Sequence, residues 1–381
     1  MSFLESFDIS KGISLYIHVP FCISKCAYCA FYSRSGCSDA LMDAYLKRLL
    51  REIGLVDDFM AGKPFETAFI GGGNPGCLGA ERLRAIAQAV CRNGRPAEFS
   101  VEMNPESLEE SFFPLFGRYF TRLSMGVQSL DETALSFLGR NADLRSTRRG
   151  LGLSQKLKKE TGITLSYDLI TCLGAWHDEL KDVKNLTENY PSDHLSVYAL
   201  TLEEGTPLYS LRPHLPSDDE QYAILSRVWE YLESNGYEHY EVSNFAKDGK
   251  RCVHNCRYWA YEQYLGLGPA ASSTAFSEDG MVHRFCFGSD VEKYVEAEPF
   301  TGFETEDLDR REAVVELVLM SLRYKGGLDI GRLGRLSGKS LPKAVFEGIG
   351  GFRIIGNHLV PDDEGLMTAD AAASAILDAL Y

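Results

Sequence analysis

Ser14-Leu15-Tyr16-Ile17-His18-Val19-Pro20-Phe21-Cys22-Ile23-Ser24-Lys25-Cys26-Ala27-Tyr28-Cys29 is the stretch on which the fold turns. Residues 13–19 alternate β-branched and aromatic side chains with others, which predicts a strand, and Pro20 ends it. Cys22, Cys26 and Cys29 follow with the spacing C-x3-C-x2-C. Three thiolates at the C-terminal end of a strand suit three irons of a [4Fe–4S] cube. The fourth iron is then open to bind and activate a small molecule. Two plainer readings compete. A structural zinc takes four protein ligands, and the next cysteine, Cys37, has no C-x2-C partner. Free buried thiols are the other.

Working outward, 381 residues suffice for a large domain and a smaller one, and 45 % hydrophobic residues support a sizeable core. The 39 basic and 54 acidic residues give a net charge of −15 with His neutral. That balance argues against a general nucleic-acid binder, though not against a local basic patch. The first eight residues carry acids and no apolar h-region, so no secretory signal is expected. No run of about 18 apolar residues predicts a membrane span. The ten cysteines are therefore expected to be reduced, in the cytosol. Cys37, Cys77, Cys91, Cys172 and Cys286 read as ordinary core or surface residues.

Strand-like and helical stretches alternate through the first half. After the strand at 13–19 the pattern predicts a helix at 39–60 and a strand at 67–70. A helix at 80–92 follows, then strands at 98–103, 122–127, 163–170 and 195–201 separated by helical segments. Six β–α units imply a parallel sheet with right-handed crossovers, too few for a closed eight-stranded barrel. Ligands in such sheets sit at the strands' C-terminal ends. After about residue 205 the pattern changes to a helix at 218–235, a short strand at 240–245 and a Gly-rich stretch at 264–269. From 307 onward it predicts an amphipathic helix at 311–324, shorter helices at 330–336 and 341–349, a hairpin at 352–360 and a helix at 369–380.

The motifs fall at the predicted strand ends. Phe69-Ile70-Gly71-Gly72-Gly73-Asn74-Pro75 offers backbone N–H groups with no side chains in the way, or is simply a tight turn. Glu102, in Glu102-Met103-Asn104-Pro105, could bind a hydroxyl or an amino group, although such a carboxylate is usually solvated. Gln128 ends Arg122-Leu-Ser-Met-Gly-Val-Gln128, where an amide can pair with a polar ligand. Arg140 closes Leu138-Gly139-Arg140 near a helix end, where dipole compensation is the plain reading. Asp168 stands within Leu165-Ser-Tyr-Asp168-Leu-Ile. His254-Asn255-Cys256-Arg257-Tyr258-Trp259 sets an imidazole beside two aromatics; a lone His is more often structural. Cys252 and Cys256 flank it, but no further ligand cluster supports a metal there.

The cysteine spacing resembles the radical S-adenosylmethionine (radical SAM) superfamily. The longer string Tyr16–Cys22 is similar to the branch holding oxygen-independent coproporphyrinogen III oxidase and the heme chaperone HemW. The resemblance implies an α/β fold, an open (β/α)6 partial TIM barrel, with a small C-terminal winged-helix-like domain. It implies a division into a radical SAM core at 1–210, a family-specific extension at 211–306 and a C-terminal domain at 307–381. No Arg/Lys recognition stripe marks that last domain as a DNA reader.

By resemblance, Cys22, Cys26 and Cys29 ligate the [4Fe–4S] cluster. Tyr16, Tyr28, Gly72, Gly73, Asn74, Glu102, Gln128, Arg140 and Asp168 line the SAM site, and His254 is a heme ligand. The chain departs from the family pattern in places. Asn74 replaces a Thr, Ala30 an Asp and Ser272 a His. Asn141 to Asp143 lack the family's His, and Thr171 to Ala175 replace G-L-P-G. Phe31 stands where the oxidase has a fourth cysteine, and only 21 residues precede Cys22. Both departures favour a cytosolic heme chaperone of the HemW type, binding SAM and heme and passing heme to an acceptor protein the sequence does not name. The alternatives are coproporphyrinogen III oxidation to protoporphyrinogen IX, and radical modification of tRNA or another macromolecule. No nucleic acid partner is expected from the acidic balance. No residue is assigned a catalytic role, and enzyme activity and oligomeric state stay open.

Overall fold

In a computed structural model, residues 3–277 and 281–381 are described. The apolar alternation at the start becomes β1 (Ser14–Val19), and the chain then forms a short pair, β2 (Phe21–Cys22) and β3 (Arg34–Ser35). The predicted strands follow as β4 (Thr67–Gly72), β5 (Glu98–Met103), β6 (Arg122–Gln128), β7 (Thr164–Thr171) and β8 (His194–Ala199). Beyond them lie β9 (Glu238–Glu241), β10 (Asn244–Ala246), β11 (Tyr264–Leu267), β12 (Ser272–Phe276), β13 (Val282–Phe287) and β14 (Phe303–Leu308). A three-stranded sheet near the C-terminus comprises β15 (Leu328–Asp329), β16 (Phe352–Ile355) and β17 (His358–Pro361), in the order β15-β17-β16.

Twelve strands form one sheet, ordered β14-β13-β12-β11-β1-β4-β5-β6-β7-β8-β10-β9. From β11 to β8 all neighbours are parallel. The parallel part therefore has seven strands, one more than the six β–α units predicted. The extra strand lies in the Gly-rich stretch, to which the sequence reading assigned no element. Gly266 lets it turn tightly into β12: a Cβ there would stand 2.2 Å from the Ser272 carbonyl oxygen. The single strand expected at 240–245 is instead a hairpin, β9–β10. Antiparallel strands thus extend both edges of the parallel sheet.

Helices cover the outer face. Asp39–Phe59 starts where the Ser38 hydroxyl accepts from Leu41 N–H, and it packs Leu49, Ile53 and Val56 onto the sheet. The predicted helix at 311–324 ends earlier, as Arg310–Ser321, because the next residues pair with β9: Val242 N–H donates to Arg323 O, and Tyr324 bridges Glu241. With Ala369–Leu380 it builds a second apolar core from Val314, Leu317, Phe346, Leu359 and Ile376. Among the described residues no helix is long and apolar enough to cross a membrane.

Candidate functional site

Pro20 turns the chain from β1 into β2, which carries Cys22 and pairs with β3 beyond the cysteines. The loop between them is held from several sides. Ala27 N–H donates to Leu138 O (3.0 Å), and Ala27 O accepts from Leu208 N–H (2.8 Å). Gly139, at φ +64°, lies so close that a Cβ would stand 2.9 Å from Ala27. The buried His18 joins the Tyr32 carbonyl through Nε2 (2.9 Å) and the Tyr16 hydroxyl through Nδ1 (3.1 Å). Cys22, Cys26 and Cys29 are half-buried. Burial pushes the Cys22 and Cys29 thiols up, and the neighbouring sulfurs push further. Among the described residues only Glu233, His239 and Asp363 bring three ligand atoms all within 4.8 Å of one another, so the three sulfurs are not all within that distance. Sulfurs around tetrahedral zinc would lie about 3.8 Å apart at Zn–S distances of about 2.3 Å. A set of three sulfurs that are not all this close fits a single zinc less well than a cube of iron and sulfide.

Over the loop opens a cavity of about 540 Å³. The three cysteines line it, as do Tyr28, Gly72, Gly73, Glu102, Gln128, Arg140 and Asp168. Arg140 spans from loop to sheet, with Nη1 3.5 Å from Cys26 Sγ and Nη2 donating to Gly126 O (2.8 Å). Gln128 has φ +67°, a conformation that costs a non-glycine residue of order 1 kcal/mol. The ladder slips between Gly126 and Gln128, and the amide folds back: a Cβ on Gly126 would stand 2.8 Å from its Nε2. Glu102 accepts from Gly72 N–H (3.3 Å). Burial, helped by the Asp168 charge, pushes its carboxyl up to about 8. Burial also pushes Asp168 up to about 6, against hydrogen bonds from Ser196 and Ser124. Two buried carboxyls side by side favour a cationic ligand.

Gly72 and Gly73 line the cavity and also pack against the protein itself. A Cβ on Gly73 would meet Phe21 O at 2.6 Å and Val19 O at 2.9 Å, and one on Gly72 would meet the His18 ring at 2.6 Å. Gly73 allows close approach of the backbone at Val19 and Phe21, and Gly72 makes room for the His18 ring, which together tie β4 to the cluster loop. Asn74 does not line the cavity. Its Oδ1 accepts from Gly76 and Asn104 N–H, and its Nδ2 donates to Ser107 Oγ (2.6 Å), so it fixes the turn after β4.

Below lies a second space of about 560 Å³ inside the sheet's curve. Phe31, Gly72, Glu102, Asp168 and Tyr198 line both cavities. The chamber exists because inward positions on β6 to β8 are small and polar: Ser124, Ser166 and Ser196 stand where a filled barrel carries branched side chains. Tyr16 belongs to this chamber and not to the upper cavity. Its floor is the helix Val253–Trp259. Glu98 accepts from Val253 N–H (3.2 Å) and His254 N–H (3.0 Å) and pairs with the buried Arg122 (3.1 Å). His254 lies here, its ring 5.3 Å from that of Phe69. Thr67 donates to Ser14 Oγ (2.9 Å), so its oxygen accepts from His254 Nδ1–H (2.9 Å) and Nε2 keeps the lone pair. Burial lowers the imidazole to about 4, so it is neutral. Sequence reasoning missed Tyr198, which faces both cavities from the end of β8. The period-2 run Ser196-Val-Tyr198, with its polar inward positions, carried the signal.

Residues 16–186 match the radical SAM superfamily. The chain is similar to the heme chaperone HemW of Escherichia coli K12, with 33 % identity covering 71 % of this chain and 72 % of that one. HemW of Bacillus subtilis 168 is 32 % identical over 86 % of this chain and 88 % of its own length. HemW of Mycobacterium tuberculosis is 30 % identical over 96 % and 95 %. The solved structure of coproporphyrinogen III oxidase from E. coli, a radical SAM enzyme, superposes with a TM-score of 0.78 at 20 % identity. It covers 98 % of this chain and 92 % of its own. At that identity it establishes the shared fold.

Proposed function

Because the chain belongs to the family of the heme chaperone HemW within the radical SAM superfamily, we propose that it holds a [4Fe–4S] cluster, binds SAM beside it, and delivers heme to an acceptor protein. The observation that carries this reading is the match to M. tuberculosis HemW over nearly the whole of both chains, the floor helix included. Cys22, Cys26 and Cys29 hold the cluster. When bound, it would offer an open iron to SAM. Arg140 fixes the loop and offsets thiolate charge at Cys26. Glu102 and Asp168 face the cationic groups of SAM, and the Gln128 amide pairs with its polar edge.

Heme is flat and largely apolar, with two carboxylates. The lower chamber offers aromatic walls in Tyr16, Phe69 and Tyr258, and its lining carries Arg257, paired with Glu262, and Arg284, paired with Glu316, which would turn to the heme carboxylates. Its volume falls in the range of about 300–1,000 Å³ usual for small-ligand sites. His254 supplies a neutral nitrogen whose tautomer is set by Thr67.

The test is anaerobic heme titration of the wild type and of His254→Ala, read in the Soret band. The wild type should bind, and the variant should bind more weakly with a shifted band. Since His254 stays neutral down to about pH 4, wild-type binding should hold between pH 7 and 5. An ordinary imidazole would already charge near pH 6.5. A variant with unchanged affinity and spectrum removes His254 as the ligand. Formation of protoporphyrinogen IX with SAM consumption replaces the chaperone reading by the oxidase one.

A further inference from the structure

On the far edge of the sheet from the cluster loop's strand neighbours, three potential ligands converge from separate parts of the chain. Glu233 ends the helix Asp218–Ser234, His239 lies on β9, and Asp363 begins the short helix Asp363–Met367 of the C-terminal region. One ligand atom from each lies within 4.8 Å of the others. His239 is fully buried, and neither ring nitrogen makes a well-aligned hydrogen bond. Its ring is clamped between Phe245, stacked at 4.3 Å, and Trp229 at 4.2 Å. So held, Nδ1 points at Asp363 Oδ1 from 3.3 Å. Glu233 is exposed and gives the group an opening to solvent.

The nearby cation falls one charge short. Lys325 Nζ lies 2.6 Å from Asp363 Oδ1 and faces two carboxylates. We propose that Glu233, His239 and Asp363 form a site for a zinc-type divalent cation, which ties the C-terminal region to the sheet edge. One imidazole and two carboxylates are a borderline donor set that suits zinc and lacks the thiolates of the cluster loop. A tetrahedral ion with bonds of about 2.0–2.2 Å needs ligands about 3.3–3.6 Å apart, so Glu233 closes inward and Lys325 swings out.

The test uses the full chain with its cluster reconstituted, dialysed anaerobically against buffered Zn²⁺, with zinc and iron counted per chain. Wild type should take up one zinc with iron unchanged. His239→Gln and Asp363→Asn should weaken uptake by about 100-fold or more, since even outer partners of a metal site are worth about 10–100-fold. Lys325→Met removes the competing cation and should tighten binding by about tenfold. Because that variant gains affinity, misfolding cannot mimic the result. Equal zinc in wild type and His239→Gln overturns the proposal. So does zinc gained only as iron is lost, which places it on the cysteines, or a Lys325→Met variant no tighter than wild type.

Discussion

Replacing Glu102 by Gln should turn a pH-dependent stability into a flatter one. The Glu102 carboxyl is pushed from an ordinary value of 4.5 up to about 8. A raised carboxyl favours folding while protonated, so its contribution is whole below pH 4.5. It is lost progressively up to pH 8 and constant beyond. The shift of about 3.5 units, at about 1.36 kcal/mol each, amounts to about 5 kcal/mol across that window. Glu102 opens on a water-accessible cavity, which moderates the loss to about half, so we expect about 2–5 kcal/mol. At about 2.1 cal/mol/K per residue, 381 residues give an unfolding entropy of about 0.8 kcal/mol/K, so the midpoint moves by about 3–6 °C. The assay is the thermal midpoint of wild type and Glu102→Gln from pH 4.5 to 9. The amide variant should gain on wild type steadily to pH 8 and then hold its lead. SAM, with a sulfonium cation, should narrow the gap at pH 8 by stabilising wild type more than the variant. A difference that stays constant between pH 5 and 8 would refute the buried-carboxyl argument.

Three further outcomes are expected. Cys22→Ser, Cys26→Ser and Cys29→Ser should each lose most of the roughly four irons expected of a cube after anaerobic reconstitution; a variant that keeps them with unchanged spectra is not altered at a ligand. Gly73→Ala should destabilise the cluster loop itself, because its Cβ would stand 2.6 Å from Phe21 O; the check is iron retention without SAM, and normal retention would point back to a ligand contact. Glu98→Gln leaves the buried Arg122 guanidinium without its carboxylate and loosens the floor helix, at a cost of about 3–5 kcal/mol in denaturant unfolding; a change under about 1 kcal/mol would mean that the floor is held by packing alone.

The sequence by itself determined the elements whose signals are local. Alternation over 13–19 and the spacing of Cys22, Cys26 and Cys29 placed the strand and the cluster loop, because side-chain period and loop length are properties of neighbouring residues. The same holds for β5, which the structure reproduces end for end. Contacts between residues far apart in the chain were decided only by the tertiary structure. Tyr264–Leu267 joins the parallel sheet because β1 offers a free edge, which the glycines conceal from any propensity argument. Asn74, read as a ligand contact, is engaged by Asn104 and Ser107 from the next strand's end. Gly73 makes room for Phe21 and Val19. His254 is neutral because burial in the chamber floor disfavours its charge, and its tautomer is set because Thr67, 187 positions away, accepts a hydrogen bond from Nδ1–H. Hydrogen-bond partners and burial fix charge and tautomer, and both are set by the approach of distant segments that no local pattern encodes.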